Sequence, residues 1–141
     1  MTSKQTVLAI VLGGIVANAL DIIVHGFLLN PIYAEASFLF RTDFSPLWLT
    51  LGDFVSVAVF VWVYARVRSC FAAGAAGGAA FGVYAGVLIG FPTHIFLNLV
   101  LVEFSYGLAW AWTINEIVWC VAVGSIVGRI AGGRNAATVG A

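Results

Sequence analysis

Charge is what this sequence has least of. Six Lys or Arg and six Asp or Glu make up 9% of 141 residues, where a water-soluble domain carries about 25%. A chain this poor in charge and 62% hydrophobic lacks the polar surface needed to face water. Its length gives one domain, with more apolar content than a single soluble core of that size can hide. The formal net charge is zero, which argues against nucleic acid as a partner and against a polybasic attachment to anionic lipid. Only two cysteines occur. Cys70 follows Arg66 and Arg68 at a helix end and Cys120 lies midway along the last apolar run, so the two are not placed to form a disulfide. The chain also lacks a Gly-rich phosphate loop, a thiol pair and a nucleophile with a matched base, which tilts the reading away from an enzyme.

What is present is a set of long apolar runs. A bilayer core about 30 Å thick needs about 20 apolar residues per helix, and four runs qualify, over about residues 7–29, 47–65, 75–102 and 108–130. The expected fold is all-α, a single integral membrane four-helix bundle with the lipid bilayer as its first partner. Residues 30–46 form the one sizeable loop. They mix Tyr33, Phe38, Leu39 and Phe40 with Glu35, Arg41 and Asp43, as in a segment lying along the membrane surface. The Gly/Ala-rich residues 132–141 read as a frayed tail. Pro92 removes an N–H from the third run and frees the carbonyl of Leu88, which predicts a bend there.

Positive charge orients the helices, because cytoplasmic flanks retain Lys and Arg. Lys4, Arg66, Arg68, Arg129 and Arg134 fall on one side and only Arg41 on the other, which predicts both termini inside. Trp48, Tyr106, Trp110 and Trp112 then mark the outer interface, and Trp62 and Tyr64 the inner one. A rival reading takes the first run as a signal peptide, with Ala17-Asn18-Ala19 as cleavage site. The apolar run continues well past Ala19, which favours a span.

Ionisable residues within spans cost about 2.5–3.5 kcal/mol each at the bilayer centre, and five are present: Asp21, His25, Asp53, His94 and Glu116. Counted from the loop ends of their runs at 1.5 Å per residue, all lie about 9–14 Å below the outer boundary. Asn98 and Asn115 lie beside them. Four-residue spacing puts Gly13, Ala17, Asp21 and His25 on one helix face. It does the same for Gly78, Gly82, Gly86, Gly90, His94 and Asn98, and for Glu116, Cys120, Gly124 and Gly128. Small residues fill the inner part of each stripe, where they let backbones approach, and polar residues the outer part. The expected shape is a funnel. The first, third and fourth helices touch at the inner side and separate outward around a polar pocket, with the second at the periphery.

Three carboxylates close together cannot all be ionised cheaply, so protonated histidines, a metal ion or bound protons would have to compensate. One reading is proton, ion or small-solute handling through this outward-facing pocket. A homo-oligomer would supply the path that four helices leave narrow. A second is a metal site drawing on His25, His94, Asp21 and Glu116, or a haem held by His25 and His94, although no cofactor motif accompanies them. A third is a non-catalytic subunit or assembly factor of a larger membrane complex, with the polar layer as interhelical glue.

The run Asp21-x-x-x-His25-Gly26-x-x-Leu29-x-Pro31-x-Tyr33, the glycine-spaced third helix and Ala111-Trp112-x-x-x-Glu116 together resemble a group of uncharacterised small bacterial four-span integral membrane proteins. The resemblance extends from about Leu12 to Arg129. It implies a four-span fold in the bacterial inner membrane and transfers no catalytic residue or cofactor.

Overall fold

The computed structural model describes residues 1–35, 43, 45–101 and 103–132. Every regular element among them is helical: α1 (Ser3–Asp21), continued by a π-helical stretch (Ile22–Leu28), α2 (Asn30–Glu35), α3 (Pro46–Val67), a 3₁₀ turn (Arg68–Cys70), α4 (Gly74–Val100) and α5 (Tyr106–Ala131). Four helical segments are long and apolar enough to cross a membrane: Ser3–Leu28, Pro46–Cys70, Gly74–Val100 and Tyr106–Ala131. This is the make-up of a multi-pass membrane protein. About half of the loop expected over 30–46, including Phe38, Leu39, Phe40 and Arg41, lies outside the described residues, as does the tail from 133 with Arg134.

Local chemistry sets the helix ends. Thr2 caps α1 in a reciprocal capping box with Gln5, satisfying two N–H groups that have no intrahelical partner. Pro46 takes the first position of α3, where its missing N–H costs nothing. The Ser105 hydroxyl accepts from Leu108 N–H at 3.2 Å to start α5. At the other end of the bundle, Gln5 donates to the carbonyl of Ile130 at 3.0 Å and Arg68 to that of Ala131 at 3.2 Å. The N-terminus, the α3–α4 link and the end of α5 are therefore clamped together, and orphan carbonyls of α5 gain donors.

The tightest pair is α4 with α5, because glycines remove the side chains that would keep the backbones apart. A Cβ on Gly82 would lie 2.7 Å from Val121 Cα, one on Gly86 2.6 Å from Ile117 Cα, and one on Gly78 or Gly128 2.9 Å from the Cα of the other. Gly90 extends this seam to Glu116, whose Cβ would be 2.9 Å away. The seam therefore runs nearly the length of α4, and α4 continues as one helix through Pro92.

Two expectations are corrected here. The second spanning helix, α3, is not peripheral, since it packs against α1 with Phe54 over Gly14 and Val57 against Gly13. Phe60 and Tyr64 of α3 also reach Phe81 of α4, with ring centroids 4.8 and 5.3 Å apart. Tyr64 is thus buried in the core rather than lying in an interfacial belt. Nor do α1 and α4 meet closely: α1 lies against α3 and α5. Because the glycine seam keeps α4 on α5 up to Gly90, α4 does not splay from α5 toward the loop end. The gap in the bundle opens on the other flank of α4, facing α3, where Phe, Val and Leu side chains hold the backbones apart.

Replacing Gly86 by Val should lower the unfolding free energy by about 1–3 kcal/mol or more through overpacking. Gly107→Ala, where a Cβ meets nothing within 4 Å, should change it by less than about 0.5 kcal/mol. Reversible unfolding in mixed micelles, followed by circular dichroism, measures both.

Candidate functional site: an intramembrane polar cavity

Asp21 closes the regular part of α1, and the chain then widens into the π-helical stretch that carries His25. Single π turns inside helices recur at functional sites because they re-aim side chains at the cost of a regular ladder. Here Asp21 and His25 both meet Asn115 of α5. Asp53 comes from the first half of α3, His94 from the turn after Pro92 in α4, and Asn115 and Glu116 from the first half of α5.

These six side chains line one cavity of about 810 Å³, together with Ser56, Trp112, Cys120 and apolar residues of α3 and α4. All four spanning helices contribute. Asn98, the seventh predicted pocket residue, is not among the lining residues. It lies one turn beyond His94 and donates to the carbonyl of Phe104 at 2.6 Å, tying the end of α4 to the turn before α5. Its position on the stripe is right, but the turn there presents a carbonyl that needs a donor.

The site has two unlike sides. On the loop side the side chains share a hydrogen-bond network, in which Asn115 Oδ1 is left buried without a partner. Asn115 Nδ2 donates to Asp21 Oδ1 at 3.3 Å and meets His25 Nε2 at 3.2 Å. His25 Nδ1 is hydrogen-bonded to the Tyr33 hydroxyl, which also accepts from Trp112 Nε1 at 2.8 Å. With Asn115 donating to Nε2, the ring proton sits on Nδ1 and points at Tyr33. Burial holds the Tyr33 phenol above its ordinary range; the Trp112 hydrogen bond opposes this and the Asp21 charge adds to it. Tyr33 is therefore a neutral hydroxyl. Its ring stacks on His25 at 8° between planes.

The cavity side is sparse. Glu116 receives only a weak thiol contact, 3.6 Å from Cys120 Sγ, and the carboxyl group of Asp53 lies close to that of Asp21. Two carboxyl groups this close need a shared proton or cation between them. The Nδ1 atom of His94 is buried without a partner, and its ring stands edge-on to Trp112 at 5.6 Å. Among the described residues no Lys or Arg lines the cavity.

Tyr33 and Trp112 were not legible as site residues. Tyr33 reads as part of a surface loop and Trp112 as part of the interfacial belt, whereas α2 folds the first back over His25 and the second turns inward. The spacing Asp21, His25, Tyr33, with gaps of four and eight, could have hinted at it, had a second short helix been expected directly after the bend at Leu29.

The metal and haem readings find little support in this arrangement. Among the described residues no three His, Cys, Asp or Glu side chains are grouped so as to hold a metal ion. Both nitrogens of His25 are already engaged, so axial ligation would break the network. Comparison with protein-family models, curated proteins and solved structures gave no match.

Removing the Tyr33 hydroxyl in Tyr33→Phe should cost about 1–2 kcal/mol, since polar contacts within membrane bundles are worth about 0.6 and at most about 1.7 kcal/mol each. Combined with Trp112→Phe the losses should fall short of additivity by at least about 0.5 kcal/mol. Micelle unfolding of the two single variants and the double variant tests the coupling.

Proposed function

We propose that this chain is a small bacterial inner-membrane protein that takes up protons, a cation or a small cationic solute at an intramembrane site. Both termini lie in the cytoplasm and the site lies in the outer half of the bilayer. The observation that carries this reading is the convergence of Asp21, His25, Asp53, His94, Asn115 and Glu116, from four helices, on one cavity lined by no Lys or Arg among the described residues. Acidic and histidine side chains inside spans are retained where protons or ions are handled, because leaving them unpaired in hydrocarbon is costly. Lys4, Arg66, Arg68 and Arg129 at the clamped end of the bundle support the orientation by the positive-inside rule. The resemblance to bacterial four-span proteins supports the location.

In liposomes, the protein should support proton or cation uptake, read with an internal pH- or cation-sensitive dye. Asp21→Asn and Glu116→Gln should reduce the rate at least about tenfold, the scale of losing one charge-assisted contact. Glu103→Gln, at an exposed position, should leave it within about twofold. Uptake that survives both pocket variants would overturn the reading.

Orientation has its own test in the exposed Cys70. In intact cells a membrane-impermeant maleimide should leave it unlabelled until the membrane is permeabilised, and labelling of intact cells would reverse the topology.

A further inference from the structure

The cavity is larger and more apolar than proton or small-ion binding requires, and its opening is lateral. Beyond the polar groups it continues between α3 and α4 along Val59, Val63, Phe81 and Ala85, away from the loop end. Val55 and Val59 on α3 and Tyr84 and Leu88 on α4 line it while each remains more than half exposed. Residues that both line a cavity and face outward mark its mouth. This mouth lies on the flank of the bundle, where the surrounding medium is hydrocarbon. The inner end is closed by the contacts of Phe60 and Tyr64 with Phe81.

The geometry points to a membrane-dissolved cationic amphiphile as the occupant, a single alkyl chain bearing an amine or quaternary ammonium head, admitted sideways between α3 and α4. This deepens the reading of the preceding subsection and rests on it.

Three features select that chemistry. A volume of about 810 Å³ is that of a site for a molecule of drug-like or short-lipid size, since such pockets measure about 300–1,000 Å³. The polar end holds Asp21, Asp53 and Glu116 with no Lys or Arg among the described residues, so a positive head is attracted and an anionic one repelled. A phospholipid fits poorly, because its phosphate would meet carboxylates and no cation. A hydrated inorganic ion would use the polar end and leave the apolar arm without a role. The arm runs from the polar groups toward the inner part of the bundle. A bound amphiphile would therefore keep the orientation of an outer-leaflet lipid, head outward and tail toward the bilayer centre, and could slide in without turning over.

The test uses the full chain in phosphatidylcholine nanodiscs, with binding read from tryptophan fluorescence, since Trp112 and Trp119 line the cavity. The probes are dodecyltrimethylammonium, tetramethylammonium and dodecyl sulfate. Dodecyltrimethylammonium should bind at least about tenfold more tightly than either of the others. Glu116→Gln should weaken it, and Ala85→Trp, which fills the arm, should weaken it at least about tenfold. Val59→Trp, at the exposed lip, provides the same test if Ala85→Trp fails to fold. Equal affinity for tetramethylammonium would overturn the proposal while leaving proton or cation uptake intact. Equal affinity for dodecyl sulfate would overturn the charge selection and the proposal with it. Loss of uptake and of all binding together would sink both readings.

Discussion

The approach of α4 to α5 along a line of glycines is the constraint from which the rest of the bundle follows. In lipid no hydrophobic force drives helices together, so association depends on how closely backbones can pack. Gly78, Gly82, Gly86 and Gly90 bring α4 against Gly128, Val121, Ile117 and Glu116 of α5. With α4 committed to that seam, its opposite flank cannot also approach α3 closely. The large side chains there, Phe60, Tyr64 and Phe81, meet only at the clamped end. The cavity is the space left between a helix held tightly on one side and a neighbour held off on the other. Position Gly90 joins packing to site directly, since the absence of a side chain there makes room for the Glu116 stem.

The second spanning helix completes the enclosure by a related device. Gly13 and Gly14 of α1 receive Val57 and Phe54 of α3, which fixes the register of α3 on α1 and with it the position of Asp53. The depth of the polar layer is thus set by packing registers on two seams, α4–α5 and α1–α3, with α1–α5 contact joining them. A shift of one turn on either seam would move one carboxylate about 5 Å along the bundle and break the cluster.

The four spans and the common depth of the polar residues could be read from the sequence, because both depend on quantities carried by composition and spacing: apolar length, and distance from a helix end. Helix neighbours were less legible. Glycine stripes on the first, third and fourth runs suggested that those three pack together, but a stripe shows only that a face admits a close partner, not whether that partner is another stripe or a large side chain. Gly13 meets Val57 rather than a glycine of α4. The π-helical stretch and the return of Tyr33 over His25 were also out of reach. Both depend on where one turn gains a residue, which hydrophobic periodicity does not encode. Asn98 kept its expected face yet missed the cavity by one turn, because the carbonyl of Phe104 takes its amide.

The distribution of hydrogen bonds differs between the two sides of the polar layer. A polar layer that served only to hold helices together would be satisfied on every side, since the hydrocarbon around it supplies no replacement partners and low dielectric makes each deficit costly. The loop side comes nearer that standard through Asn115, His25, Tyr33 and Trp112, with Asn115 Oδ1 left without a partner. The cavity side does not. Glu116 has a thiol for its nearest donor, Asp53 faces another carboxyl group, and His94 Nδ1 has no partner. These deficits are not scattered through the bundle. They border the one large space within reach of all four spanning helices, and each is a group that a proton or a positively charged head would satisfy. The loop-side network ties Asp21 and His25 to Asn115, while the carboxyl groups of Asp53 and Glu116 face the cavity.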